Sequence, residues 1–167
     1  MVGNLFKNLL TYDKLPEDGE RIIAYCDTAD EGNDFLSCIA GVVKNGEGYV
    51  TDIYYTQDPM TITQPMTAKF LVDNEVNDAK IESNNGGKGF ADEVQRIIWQ
   101  QYQTRHINIM WFPQLSNKES RIKTGAAFVL KHIYFPENVA TRWPKFYLDL
   151  IRYQIEGKNQ HDDGRIS

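Results

Sequence analysis

Three stretches of the chain place carboxylates where an apolar run meets polar residues. Asp27 closes the run Arg21-Ile22-Ile23-Ala24-Tyr25-Cys26 and is followed by Asp30, Glu31 and Asp34. Glu82 closes the short run Ala79-Lys80-Ile81, and Asp162-Asp163 lies near the C-terminus beside His161. Carboxylates gathered in one place repel each other and raise each other's pKa unless a cation intervenes. An oxygen-rich cluster with few nitrogen or sulfur donors suits Mg²⁺ or Mn²⁺. Two such ions about 3.5–4 Å apart can activate a water and stabilise the leaving oxygen in phosphodiester cleavage. Taken singly, each acid has a plainer reading. An Asp ending a strand usually serves a turn or cap, Glu82 alone reads as a solvated loop residue, and Asp162-Asp163 as a charged tail.

The elements that must position these acids follow from the pattern of apolar residues. Arg21 to Asp27 is apolar on both alternating faces, which predicts a central strand covered on each side. Phe35 to Val43 and Tyr49 to Tyr55 read as two further strands, joined by the hairpin signal Lys44-Asn45-Gly46-Glu47-Gly48. Links this short require antiparallel pairing. The pattern then changes to helix over Thr63–Asn74, with Pro65 expected in its first turn. A short strand follows over Ala79–Glu82, broken by Gly86-Gly87. Phe90 to Tyr102 reads as a helix with Phe90, Val94, Ile97, Ile98 and Tyr102 on one face. Ile107–Phe112 is extended, Asn117 to about Leu130 helical with Asn117 as N-cap, His132–Phe135 extended and Phe146–Tyr153 helical. The later strands need helical crossovers and so run parallel. The predicted fold is therefore α/β: a mixed sheet of three antiparallel strands followed by parallel strands, flanked by helices. If the strands ending in Asp27 and Glu82 are parallel neighbours, both acids emerge at the same edge.

The 167 residues suit one compact domain. Residues 1–20 have weak periodicity and hold Pro16-Glu17-Asp18-Gly19, so they read as a tail or linker preceding a domain over 21–167. No apolar run approaches the ~20 residues of a membrane span, and the N-terminus is too short in apolar residues for a secretory signal. Cys26 and Cys38 lie on neighbouring predicted strands and read as reduced core residues of a cytosolic protein. The net charge of −5 argues against tight, autonomous, non-specific DNA binding. It is compatible with acids clustered around divalent cations, which would invert the local field.

Taken in order, these segments resemble the nuclease domain of tailed-bacteriophage terminase large subunits. Tyr25-Cys26-Asp27-Thr28-Ala29-Asp30-Glu31-Gly32-Asn33-Asp34 is similar to the first nuclease motif, and Lys80-Ile81-Glu82-Ser83-Asn84-Asn85-Gly86-Gly87 to the second. Lys118-Glu119-Ser120-Arg121-Ile122 resembles the basic segment on the next helix, and His132-Ile133-Tyr134-Phe135-Pro136 the short strand after it. Phe146-Tyr147-Leu148-Asp149-Leu150 and then Gly157-Lys158 to Asp163 resemble the third motif and its approach. The resemblance runs from about Arg21 to Asp163.

The resemblance implies an RNase H-like fold and cleavage of double-stranded, concatemeric phage DNA by two Mg²⁺ or Mn²⁺ ions during genome packaging. It makes Asp27 the acid shared by both ions and Glu82 a ligand, with Asp162 or Asp163 completing the site. Asp34 would orient ligands or, on the plainer reading, serve a turn. Lys118 and Arg121 share a helix face at three-residue spacing and are the candidate DNA contacts; a solvated helix face is the alternative. His161 is a candidate metal ligand or proton carrier, while His106 and His132 read as partly buried structural residues. The implied partners are the portal, the small terminase subunit and an ATPase domain in the same subunit, in the bacterial host cytoplasm. There are two departures from the family pattern. No segment matches the phosphate-binding pattern Gly-x-x-x-x-Gly-Lys-Ser/Thr, Gly86-Gly87-Lys88-Gly89 having the wrong spacing, so the chain reads as a nuclease domain without its motor. Only Gly164-Arg165-Ile166-Ser167 follows the final acids, where the family continues into a helix. Two other classes fit the same residues: another RNase H-like nuclease, such as a resolvase or ribonuclease, and a non-catalytic docking domain.

Overall fold

The computed structural model describes residues 9–28, 35–82, 87–103, 106–113 and 131–152. Its strands are β1 (Leu10–Tyr12), β2 (Arg21–Asp27), β3 (Leu36–Lys44), β4 (Glu47–Thr56), β5 (Asp78–Glu82), β6 (Asn108–Phe112) and β7 (Ile133–Pro136). Its helices are α1 (Met60–Asp73), α2 (Gly87–Ile97), which widens into π-helical turns over Ile98–Tyr102, α3 (Val139–Arg142) and α4 over residues 144–152. The strands form a mixed 7-stranded sheet in the order β1-β7-β4-β3-β2-β5-β6. β2 and β3 are antiparallel, whereas β5 runs parallel to both β2 and β6. This is the α/β architecture expected from the sequence. The chain divides into two compact units.

The larger unit spans Pro16–Asn45 and Val50–Leu115. The turn between β3 and β4 places Asn45 at φ 52° and Gly46 at φ 78°. Positive φ at both central residues is the tight hairpin turn that an Asn-Gly pair favours. β2 alternates strictly: Ala24 and Cys26 are buried, while Ile23 and Tyr25 are 42% and 44% exposed. Ala24 and Cys26 join one core cluster with Cys38, Ala40, Ala79 and Ile81 from the sheet, Ala68, Phe70 and Leu71 from α1, and Phe90, Ala91, Val94, Ile97 and Ile98 from α2 and its extension. The expectation that β2 is covered on both faces is thus corrected. The crossover helices α1 and α2 bury their residues in the same cluster, on the Ala24–Cys26 face.

Two boundaries also differ from expectation. α1 begins at Met60, where the carbonyl of Pro59 accepts from the N–H groups of Ile62 and Thr63 at 2.9 and 3.0 Å. Pro65 therefore sits beyond the first turn, and its ring removes one internal hydrogen bond. α1 ends in a Schellman turn: Glu75 adopts φ 52°, Glu75 N–H donates to Val72 O at 3.0 Å, and Val76 N–H to Leu71 O at 3.1 Å. The second difference is β1. Leu10–Tyr12 lies within the segment expected to be a tail or linker, yet pairs in parallel with β7. A strand of three residues is too short to show a period.

The smaller unit comprises Met1–Leu15, Gly46–Tyr49 and Ser116–Ser167. Among its described residues, Tyr49 stacks on Tyr134 at 4.9 Å and meets the edge of Tyr12 at 5.7 Å. Phe135 of β7 is buried and packs on Phe146 of α4 at 6.2 Å. His132 belongs to this unit and His106 to the larger one. Both are exposed rather than partly buried.

In the larger unit the hydroxyl of Tyr54 is buried without a hydrogen-bond partner among the described residues. Burial chiefly, with the negative charge of Asp58 and the Cys38 thiol adding to it, pushes its pKa up to about 12. An unsatisfied buried hydroxyl costs on the order of 1–3 kcal/mol. Tyr54→Phe should therefore raise stability in urea unfolding by roughly 1 kcal/mol. The native chain should lose stability as pH rises from about 10 to about 12, because the unfolded Tyr54 releases its proton first. The Phe variant should lack that part of the alkaline slope; an unchanged slope would show that Tyr54 is not its source.

Candidate metal centre

Parallel pairing aligns β2 and β5 residue by residue: Ile23↔Asp78, Ala24↔Ala79, Tyr25↔Lys80, Cys26↔Ile81 and Asp27↔Glu82. Register partners on neighbouring strands project to the same face. Asp27 and Glu82 therefore stand side by side at the C-terminal ends of two strands inside the sheet, both half-buried. The register is set at the opposite ends of these strands. Asn77 Oδ1 accepts from Ile22 N–H at 2.8 Å, and Asn77 N–H donates to Ile22 O at 2.8 Å. Its carbonyl accepts from Asn108 N–H at 2.9 Å, which aligns β6 as well. Asp78 then pairs with Arg21 and accepts from Asn108 Nδ2 at 3.3 Å.

The same alternation separates donor types. Cys26 precedes Asp27 and so points to the opposite, core face, where it lies across from Cys38; both thiols are fully buried and free. The hydrogen bond to Cys38 comes first in pushing the Cys26 thiol well above its usual range, followed by burial, the Cys38 charge and the Asp27 charge. Among the described residues, Asp27 and Glu82 offer oxygen donors on this face, which fit a hard divalent cation better than zinc. Beyond the acids on this face, Lys80 lies over the Phe112 ring at 5.3 Å.

Of the residues singled out in the sequence, Asp27 and Glu82 are brought together. Asp34, Lys118, Arg121, His161, Asp162 and Asp163 lie outside the described residues, as does the helix expected over Asn117–Leu130. Among the described residues no group of three or more His, Cys, Asp or Glu assembles to hold a metal ion. Lys88 is exposed in the first turn of α2. Sequence reasoning missed Thr28. Its N–H donates to Glu82 O at 3.0 Å and its hydroxyl to the same oxygen at 3.4 Å. The signal was a small hydroxylated residue directly after the acid, but its partner lies far along the chain.

A mixed sheet of parallel and antiparallel strands with crossover helices packed against it is an α/β fold of the RNase H-like kind. Two solved terminase structures share this architecture at TM-scores above 0.5. The human cytomegalovirus terminase nuclease domain, Mn soaked, superposes at a TM-score of 0.57 with 12% identity, over 92% of this chain and 81% of that one. The large terminase from a thermophilic bacteriophage gives 0.51 and 14%, over 81% of this chain and 34% of that one. The nuclease domain of the large terminase subunit gp2 of bacterial virus Sf6 gives 0.47 and 11%, over 62% and 43%. The chain thus spans less than half the length of the two bacteriophage proteins. No family model matches the sequence, and no curated protein matches it either.

Two adjacent carboxylates interact unfavourably when both are ionised. A double-mutant cycle of Asp27→Asn and Glu82→Gln in EDTA should give a repulsive coupling of about 0.5–1 kcal/mol that shrinks as salt rises. Zero coupling at low salt would mean that the two side chains diverge.

Proposed function

We propose that this chain is the nuclease domain of a terminase large subunit, a metal-dependent endonuclease that cuts concatemeric double-stranded phage DNA during genome packaging. The observation that carries the reading is the register pairing of Asp27 with Glu82 at the ends of neighbouring parallel strands. The fold shared with the Mn-soaked cytomegalovirus nuclease domain supports it.

On this reading Asp27 and Glu82, with Asp162 or Asp163, hold two Mg²⁺ or Mn²⁺ ions. When bound, such ions supply the positive charge that activates water and stabilises the leaving oxygen. The chain's own part is placement. The β2–β5 ladder fixes both acid-bearing backbones before any ligand arrives, so little reorganisation is required. Asp34 orients ligands, Lys118 and Arg121 contact DNA phosphates, and His161 stands beside the terminal acids. Residues 21–167, with β1 added to their sheet, form the nuclease domain, whose ATPase motor, portal and small-subunit partners complete the packaging machine in the bacterial cytoplasm. No helix among the described residues is long and apolar enough to cross a membrane.

Plasmid nicking with Mn²⁺ tests this. Asp27→Ala should lower the rate at least ~100-fold, equal to roughly 2.7 kcal/mol in the barrier. Wild-type cutting by that variant would remove Asp27 from the site. Comparing duplex DNA, RNA–DNA hybrid and branched DNA separates a terminase from a ribonuclease or resolvase on the same fold. The net charge of −5 favours a second reading, a docking domain for the portal or small subunit. Absence of Mg²⁺ and Mn²⁺ binding at millimolar concentration in calorimetry would support that one instead.

A further inference from the structure

Thr28 is 6% exposed, and its N–H and hydroxyl both close on the carbonyl of Glu82, at 3.0 and 3.4 Å. The N–H bond extends the β2–β5 ladder by one step, and any residue but proline could make it. The hydroxyl bond is particular to Thr or Ser. Its acceptor is the peptide of the residue that stands beside Asp27, so the bond acts on the spacing of the carboxylate pair. By strand alternation the Thr28 side chain lies on the other face from Asp27, away from any ion the acids hold. From this geometry we infer that Thr28 is a positioning residue: its hydroxyl locks the end of β5 against β2 and so holds Glu82 at the separation from Asp27 that a divalent ion needs. The inference rests on the proposed role of Asp27 and Glu82 as metal ligands. Groups that orient ligands without touching the metal are worth about 10- to 100-fold in metal affinity when removed.

A merely structural Thr28 predicts something else. Its loss would lower stability and leave metal affinity unchanged, because a buried hydroxyl commonly satisfies itself on nearby backbone. The test uses the full chain and Mn²⁺ alone, titrated calorimetrically, with melting in EDTA as a second readout. Thr28→Val should bind Mn²⁺ about tenfold or more weakly while melting in EDTA close to wild type, since the Glu82 carbonyl keeps the backbone donor. Thr28→Ser should restore affinity to within about threefold, well short of the tenfold loss. Should Thr28→Val fail to fold, the Thr28→Ser and Thr28→Ala pair, which differ only in the hydroxyl, decides. Equal affinity in that pair, or wild-type affinity in Thr28→Val, overturns the inference. Asp27→Ala separates the two levels: if it binds Mn²⁺ as wild type does, the metal site itself is misassigned and Thr28 loses its role with it. If Asp27→Ala abolishes binding and Thr28→Val does not alter it, only the positioning role falls.

Discussion

The parallel pairing of β2 with β5 is the constraint on which the rest of the site depends. It carries two acids of opposite sequence neighbourhoods to adjacent places, and a slip of one residue would turn one of them to the other face. The register is held at both ends. Asn77 engages both the N–H and the carbonyl of Ile22, while its own carbonyl receives Asn108. At the far end Thr28 closes on Glu82. Between them Ala24, Cys26, Ala79 and Ile81 face the core. Ala24, Cys26 and Ala79 are small, which lets α1 and α2 lie close over the two strands that carry the acids, while Ile81 fills the space between.

The core and the site are consequences of the same alternation. Burying Cys26 requires that Asp27 face away from the core. Cys26 and Cys38 oppose one another deep in the sheet, and their mutual hydrogen bond and burial keep the Cys26 thiol protonated. A neutral, buried thiol does not compete for a cation. The acids beside the sheet end offer oxygen donors, and on the proposed reading a fit to hard ions follows from strand geometry without any special selectivity device.

How much of this was legible in the sequence varied with the range of the interaction. Local features were readable. Asn45-Gly46 marked the hairpin, and Phe90, Val94, Ile97 and Ile98 marked one face of a helix, because turn chemistry and the helical period act within a few residues. The extent of α1 was not. Pro65 suggested a helix start, but the chain had already turned helical after Pro59, and tertiary burial of Thr63, Thr67 and Leu71 holds the proline inside. β1 was invisible because its pairing is with β7, far along the chain. The neighbourhood of Asp27 and Glu82 stood as a condition on strand order, which periodicity does not contain. Thr28 escaped notice for the same reason: its hydroxyl has meaning only once the chain returns to it at residue 82.

Likeness of fold at 12–14% identity speaks to architecture, since one fold hosts many chemistries and function resides in the site. The acids therefore bear the weight of the functional reading, and they explain the one compositional fact that first argues against it. A chain of net charge −5 repels nucleic acid, and without ions a pair of carboxylates at a sheet end repels a phosphodiester most strongly where, on the proposed reading, it would have to bind. On the proposed reading divalent ions reverse the sign of that local field. Ions and DNA must then favour each other's binding, and linkage makes the favour mutual: whatever the ions add to DNA affinity, DNA adds to ion affinity. On that reading DNA is engaged through the metal centre first, and the net charge limits loose association while leaving the productive encounter intact.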